Sequence, residues 1–227
     1  VQFSERDHDL VSVAVMEAEK QTSGEIVPIV ARRSDAYHDV GLHWAIGTVF
    51  VALAFFAFFP DYLRDLAGRL LGDWDHQVAD WKMLTILLGD LILDFLVVRY
   101  LLAIMPLRMA LTPRATKARR VRRRAILLFR AAAEARTAGR TGVLIYLSLD
   151  EHRAEIVADK AINDRVAPEA WGEAMALLID AVRDDRPGEG LALAIGRVGA
   201  ILAPHFPRAA DDINELPDRL ILSLIHI

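Results

Sequence analysis

The sequence predicts an α/β fold: a small sheet covered by helices and interrupted by a two-helix transmembrane hairpin. Three observations predict it. Two long apolar runs lie close together before the middle of a 227-residue chain. Short β-rich runs bounded by glycine or by turn residues occur on both sides of that pair. Apolar residues at helical spacing precede the first of these runs and follow the last. Composition agrees, because 54% hydrophobic with 26% charged is too apolar for an average soluble domain and too charged for a wholly embedded chain.

The first element is an amphipathic helix over residues 4–21. Ser4 is its expected N-cap with Asp7 three residues on, and Leu10, Val11, Ala14, Val15 and Ala18 form one face. Thr22, Ser23 and Gly24 stop it, Gly24 supplying a special backbone angle at the corner before Glu25. Residues 25–31, EIVPIVA, follow as a strand in which Pro28 requires an edge, a bulge or a place without a ladder bond.

Residues 40–59, VGLHWAIGTVFVALAFFAFF, contain no Asp, Glu, Lys or Arg and end at Pro60. Twenty residues at about 1.5 Å rise span roughly 30 Å, the thickness of a bilayer core. Residues 83–106 hold the second run, MLTILLGDLILDFLVVRYLLAIM, closed by Pro106. Trp44, Trp74, Trp81 and Tyr100 fall near the expected interfaces. The competing reading of each run is a buried helix of a soluble protein. The second run alone is the weaker span because it carries Asp90, Asp94 and Arg99. The connecting residues 61–82 read as a loop with five acids and three bases, whereas residues 107–124 hold eight bases and no acid. The positive-inside rule places the latter, and with it both polar arms, in the cytoplasm.

After the hairpin a long Ala- and Arg-rich helix is expected over 113–138, ended by Gly139. Strands over 142–149 and 153–158 are joined by the turn Asp150, Glu151, His152. Helices follow over 168–183 and 187–202, each opening on a proline. The expected organisation is residues 1–39 as the first part of the α/β domain, 40–106 as the hairpin, 107–210 as the second part and 211–227 as a C-terminal tail. Residues 1–7 are polar with no basic stretch before an apolar core, and residues 223–227 follow no pattern set earlier.

Few residues suggest chemistry. The absence of cysteine excludes disulfides, thiolate zinc sites and cysteine nucleophiles. Asp35, Asp159 and Asp164 lie at strand ends, where carboxylates can converge on a hard cation, calcium or magnesium; the alternative is that they are solvated turn residues. Asp90 and Asp94 stand four apart on one helix face. Intramembrane acids are functional candidates, here for a proton, a cation or a partner helix, and a conducting path through two helices needs a homo-oligomer or a membrane-protein partner. The alternative is pairing within the hairpin or a dimer, or snorkelling of Arg99 toward the cytoplasmic interface. The basic set Arg114, Lys117, Arg119, Arg120, Arg122, Arg123 and Arg124 belongs beside anionic lipid headgroups of the bilayer. It lacks the aromatic interleaving of a nucleic-acid surface. The seven histidines form no pair at metal-ligand spacing, and no Walker loop, EF-hand or HExxH is present.

The stretch EAEKQTSGEIVPIV (residues 17–30) resembles the opening of the TPM domain, a family that includes a thylakoid lumen phosphatase-like protein. GVLIYLSLDEHRAEIVADKAIND (142–164) resembles its central β-hairpin and following loop. Trp171, GEGLALAIGRVGAILAPHFP (188–207) and NELPDRL (214–220) resemble the tail of a membrane-anchored bacterial branch. The resemblance implies an α/β fold with a central sheet. It also implies either weak phosphatase activity with a divalent ion or an accessory role in membrane complexes. Family members that place this domain outside the cytoplasm differ from the charge rule here. The expectation is therefore an accessory or scaffold protein of the bacterial inner membrane, both termini cytoplasmic. A weak divalent-metal-dependent phosphatase is the alternative.

Overall fold

The computed structural model describes residues 3–71, 79–131, 141–208 and 220–223. The chain forms two compact units, Val1–Ala36 with Arg114–Ile227, and Tyr37–Pro113.

In the first unit, helix α1 (Glu5–Glu19) starts at Ser4 in a capping box. The Asp7 N–H donates to Ser4 Oγ at 3.2 Å, and the Ser4 N–H donates to Asp7 Oδ2 at 2.9 Å. Strands β1 (Glu25–Ala31), β2 (Gly142–Ser148) and β3 (Arg153–Ala158) join β4 (Ile221–Ser223) in one sheet of order β3-β2-β1-β4. β1 runs parallel to β2, with Glu25 beside Gly142 and Ala31 beside Ser148, and β4 is parallel to β1. β3 returns antiparallel along β2. β1 and β2 are buried at every residue, the mark of strands covered on both faces.

Alternation along these strands divides the core. Ile26, Val30, Val143, Ile145 and Leu147 face α1, α8 (Trp171–Arg183) and α9 (Pro187–Leu202). Val27, Ile29, Leu144 and Tyr146 face α6 (Arg114–Phe129), which presents Val121, Ala125 and Phe129. The unit is thus a sheet between two helical layers. The α/β expectation holds, with the three long strands placed as predicted.

Pro28 occupies one of the places expected for it, and three other details differ from expectation. Pro28 lies in a strand paired on both sides, yet β4 pairs only with Ile29, Val30 and Ala31. At Pro28 the β4 side has no partner among the described residues, so the missing N–H is tolerated. Gly24 has no left-handed backbone; a Cβ there would lie 2.9 Å from Leu202 Cδ1, so space is its constraint. The tail contributes to the fold, because Leu220 enters the core and residues 221–223 form β4. Helix α7 (Lys160–Asn163) and a 3-10 turn (Pro168–Ala170) stand before α8, and residues 132–138 of the expected long helix lie outside the described residues.

The second unit contains α2 (His38–Phe58), α3 (Pro60–Leu71), α4 (Asp80–Leu101) and α5 (Met105–Leu111). The connector read as a loop contains α3, whose Leu63 and Ala67 are buried while its charged residues point away. Trp74 lies outside the described residues. α2 and α4 pack antiparallel: a Cβ on Gly41, at the start of α2, would sit 3.5 Å from Leu102 Cβ, at the end of α4. The inward face of α2 is built of Gly41, Ala45, Thr48 and Ala52, small residues that let two backbones approach.

The unit boundaries fall at Ala36/Tyr37 and Pro113/Arg114, not at 39/40 and 106/107. Tyr37 is fully buried and, with Met105 and Met109, packs on Val40. Arg108, 3% exposed, donates from Nε to Leu102 O at 2.6 Å and caps the last turn of α4. Those contacts tie α5 to the helical pair. Among the described residues only α2 is long and apolar enough to cross a membrane; Asp90, Asp94 and Arg99 interrupt the apolar run of α4.

Candidate functional site

The carboxyl-terminal ends of β1 and β2 lie side by side, the edge at which open α/β sheets present ligand-binding loops. The chain leaves β1 through Arg32, Arg33 and Ser34, and leaves β2 through the tight turn to β3. His152 takes a positive φ of 48° in that turn, which folds Glu151 back over the sheet end. Glu151 is only 6% exposed. It accepts from the Ser34 N–H at 2.8 Å and from the Ser148 hydroxyl. Ser34 Oγ bonds Tyr146 Oη at 3.0 Å and Ser148 Oγ at 3.1 Å. Burial pushes the Tyr146 phenol up from its ordinary value, and the Glu151 carboxylate adds to the rise. Hydrogen bonds from Ser34 and Ser148 and the charge of Arg124 oppose it.

A carboxylate bonded to a serine hydroxyl is the pairing that activates a nucleophile. Ser148 is fully buried here and Ser34 is 8% exposed, so no substrate atom reaches either hydroxyl. The network fixes two loops at the sheet end. Around it lie two ion pairs, Arg120 to Asp35 at 3.1 Å and Arg32 to Asp150 at 3.8 Å. The sequence places Glu151 in the turn, and nothing local in DEH signals that the middle residue is buried.

Asp35, Asp159 and Asp164 do not come together. Asp35 follows the end of β1 and pairs with Arg120. Asp159 follows β3, which runs antiparallel, and therefore sits at the opposite end of the sheet beside Gly142. Its Oδ2 accepts the Gly142 N–H at 2.9 Å while its own N–H donates to Gly142 O at 3.0 Å, a clasp between the start of β2 and the end of β3. Asp164 ends α7 and is exposed. A seven-residue strand at about 3.3 Å per residue separates the two ends by roughly 20 Å, far beyond one coordination sphere. Among the described residues no group of three or more metal-ligating side chains is gathered. The calcium or magnesium set is corrected accordingly.

The basic residues of α6 also divide. Arg114, Arg119, Arg122 and Arg123 are exposed and Lys117 is half-buried. Arg120 turns inward to Asp35, and Arg124 buries its Nε near Tyr146. These two are therefore not lipid-facing; they lie on the same helical face as Val121, which packs on the sheet. Glu155 on β3, opposite Tyr146, is half-buried, and burial raises its carboxyl above the ordinary value against the pull of Arg122 and Arg153.

In the second unit Asp90 and Asp94 fall on the half-buried face of α4, and Asp94 Oδ2 is buried with no hydrogen-bond partner among the described residues. Thr48 on α2 donates to Ala45 O at 3.0 Å, so its hydroxyl is used within its own helix. Arg99 approaches the first turn of α2, its Nη1 lying 3.9 Å from a Cβ built on Gly41.

The site and fold define an α/β sandwich with a buried polar cluster at the sheet end and a long helical insertion. An NMR structure of the BA42 protein from the psychrophilic bacterium Bizionia argentinensis is similar. Its TM-score is 0.57 at 19% sequence identity, over 98% of this chain and 97% of that one. That likeness concerns the fold alone. No family model and no curated protein matches the chain.

Proposed function

We propose that this chain is a membrane-anchored accessory or scaffold protein, with α2 and α4 crossing a bacterial inner membrane together and the α/β domain on the cytoplasmic side. The carrying observation is α2: 21 residues, apolar around its whole circumference, with only 17% of its most apolar stretch buried. A soluble core helix of that length would be covered. Val51 is 71% exposed and Phe50 65% exposed, apolar surface on a scale that marks a membrane or a partner.

The character of α4 supports its crossing beside α2. Leu84, Leu88, Ile92 and Leu93 face outward, whereas Asp90 and Asp94 face α2, the orientation that keeps charge-bearing groups off lipid. Arg99 near the chain-entry end suits a snorkelled cation, and the bases of residues 107–124 supply the inward signal. The sequence stretches quoted above support a TPM-like assignment of the α/β domain. The accessory reading leads over a weak metal-dependent phosphatase because the serine–carboxylate cluster is buried and the three aspartates stand apart.

The cysteine-free chain permits a direct test. Asp65→Cys in α3 and Asp164→Cys beside α7 are each labelled in intact cells with a membrane-impermeant maleimide. Labelling of position 65 and protection of position 164 until lysis is the expected result. The reverse pattern would overturn the topology, and labelling of both in a soluble fraction would overturn the anchor. Crosslinking from solubilised membranes then recovers a stoichiometric partner if the scaffold reading holds.

A further inference from the structure

The outer surface of the α1–α9–α8 layer carries a feature that the anchor and the sheet-end cluster leave unused. α9 lies in the middle of this layer. α1 runs parallel to it, with Asp7 against Gly188 and Ala18 against Gly199, and α8 runs antiparallel, with Ala181 against Gly190. Along the exposed side of α9 lies an open groove of about 610 Å³. Ala192, Gly196 and Ala200 form its floor, and Leu10 and Leu177 form its walls. A Cβ on Gly196 would meet nothing within 4 Å. Leu193 lies in the groove lining and is 54% exposed, with Leu177 beside it at 37% and Val13 of α1 at 53%.

We propose that a second copy of this chain docks in this groove, α9 crossing α9 antiparallel about a two-fold axis through Leu193. The charges argue for this occupant. Glu189 and Arg197 lie at opposite ends of the groove, each four residues from Leu193. A two-fold axis at Leu193 brings Glu189 of one copy against Arg197 of the other, twice. The same operation sets each Leu193 into the hole formed by residues 189, 192, 193 and 196 of its partner, the knob-and-hole relation of antiparallel helices. An isologous contact needs a self-complementary patch, and this groove is acidic at one end, basic at the other and apolar between. The present partners of these charges are exposed: Glu189 bonds Arg186 at 2.7 Å and Arg197 bonds Glu173 at 2.6 Å. Such surface pairs hold little energy and exchange readily. Arg186 keeps Asp184 at 3.0 Å when Glu189 turns away.

The test uses the full-length chain in membranes and in detergent. Leu193→Cys meets its own copy at the axis and forms a disulfide-linked dimer under mild oxidant. Leu127→Cys, exposed on α6 across the sheet, serves as the control and stays monomeric. Gly196→Leu fills the hole in open space, so the melting temperature is kept or raised while crosslinking at position 193 falls at least tenfold. Arg197→Glu weakens the dimer, and adding Glu189→Arg restores it, because the swapped pair is again complementary. Light scattering on the unsubstituted chain gives twice the protomer mass. A monomer at all concentrations, crosslinking at 193 no greater than at 127, or a dimer indifferent to Gly196→Leu would overturn the proposal. So would a groove filled by another protein or by lipid in place of the second copy.

Discussion

Asp159 and Asp164 are five residues apart and chemically identical, yet they do different work. Asp159 holds the Gly142 N–H where β2 begins, and it is 6% exposed. Removing its carboxylate leaves a buried donor unsatisfied, at about 1–3 kcal/mol. Asp164 is exposed at the end of α7. Asp159→Ala is therefore expected to lower stability by about 2 kcal/mol, and Asp164→Ala by less than about 0.5 kcal/mol. Thermal unfolding of the two variants side by side measures the difference; equal effects would remove the clasp. Glu155 adds a pH dependence. Its carboxyl is raised in the folded state, chiefly by burial. A raised carboxyl stabilises the fold below the ordinary carboxylate range, and that contribution is lost as pH climbs through the raised value. At neutral pH the charged Glu155 is then a liability. Glu155→Gln is expected to raise the melting temperature at pH 7 and to flatten its decline between the mid-4s and neutrality. A variant less stable than the parent at pH 7 would show that Arg122 and Arg153 outweigh burial. The sequence exposed these acids only as residue types near strand ends. Whether an acid clasps a strand, as Asp159 does, or folds under a turn, as Glu151 does, depends on antiparallel pairing and on one left-handed residue, His152.

At the scale of elements, α9 is fixed by what its glycines permit. A Cβ on Gly199 would lie 2.7 Å from Ala18 Cβ and 3.2 Å from its Cα, so α1 has to move to admit it. Gly172, near the start of α8, faces open space. The same substitution should thus have opposite signs: Gly199→Ala costs about 1–3 kcal/mol by overpacking, whereas Gly172→Ala gains up to about 0.5–1 kcal/mol from helix propensity. Both are read from unfolding midpoints, and a harmless Gly199→Ala would mean that α1 and α9 are not in close contact. The same elements explain what was legible beforehand. β1 and β3 have the bounds their sequences announce, because β-branched runs end at Gly24, at the turn and at Asp159. Ser4 declared the start of α1 through a local capping box. α3 is hard to see in the sequence because its acids and bases look like a loop, and Leu63 and Ala67 alone mark its inward face. β4 is invisible there because three residues carry no period; its place is set by pairing with β1.

At the scale of the whole molecule, a helical insertion interrupts a domain whose two arms share one sheet. β1 comes from before the insertion and β2 from after it, and they pair residue for residue over seven positions. The pairing requires both arms on one side of any membrane the helices cross, which is what a hairpin with two antiparallel helices supplies. It also means that the sheet's contacts are internal to residues 1–36 and 114–227. The two chain ends that the linker has to join lie close, since Asp35 meets Arg120 at 3.1 Å and Arg114 is six residues before Arg120 on α6. Six helical residues cover about 9 Å, within reach of a flexible linker of about six to eight residues at up to ~3.3 Å each. Replacing residues 37–113 by such a glycine–serine linker is expected to yield a detergent-independent domain with a cooperative melt and mixed helix–strand circular dichroism. Shortening the connection between β1 and α6 lowers its closure entropy, so the excised domain should be at least as stable as the parent. If it aggregates or melts without cooperativity, the two units are not separable, and the helical insertion contributes to the core of the α/β domain.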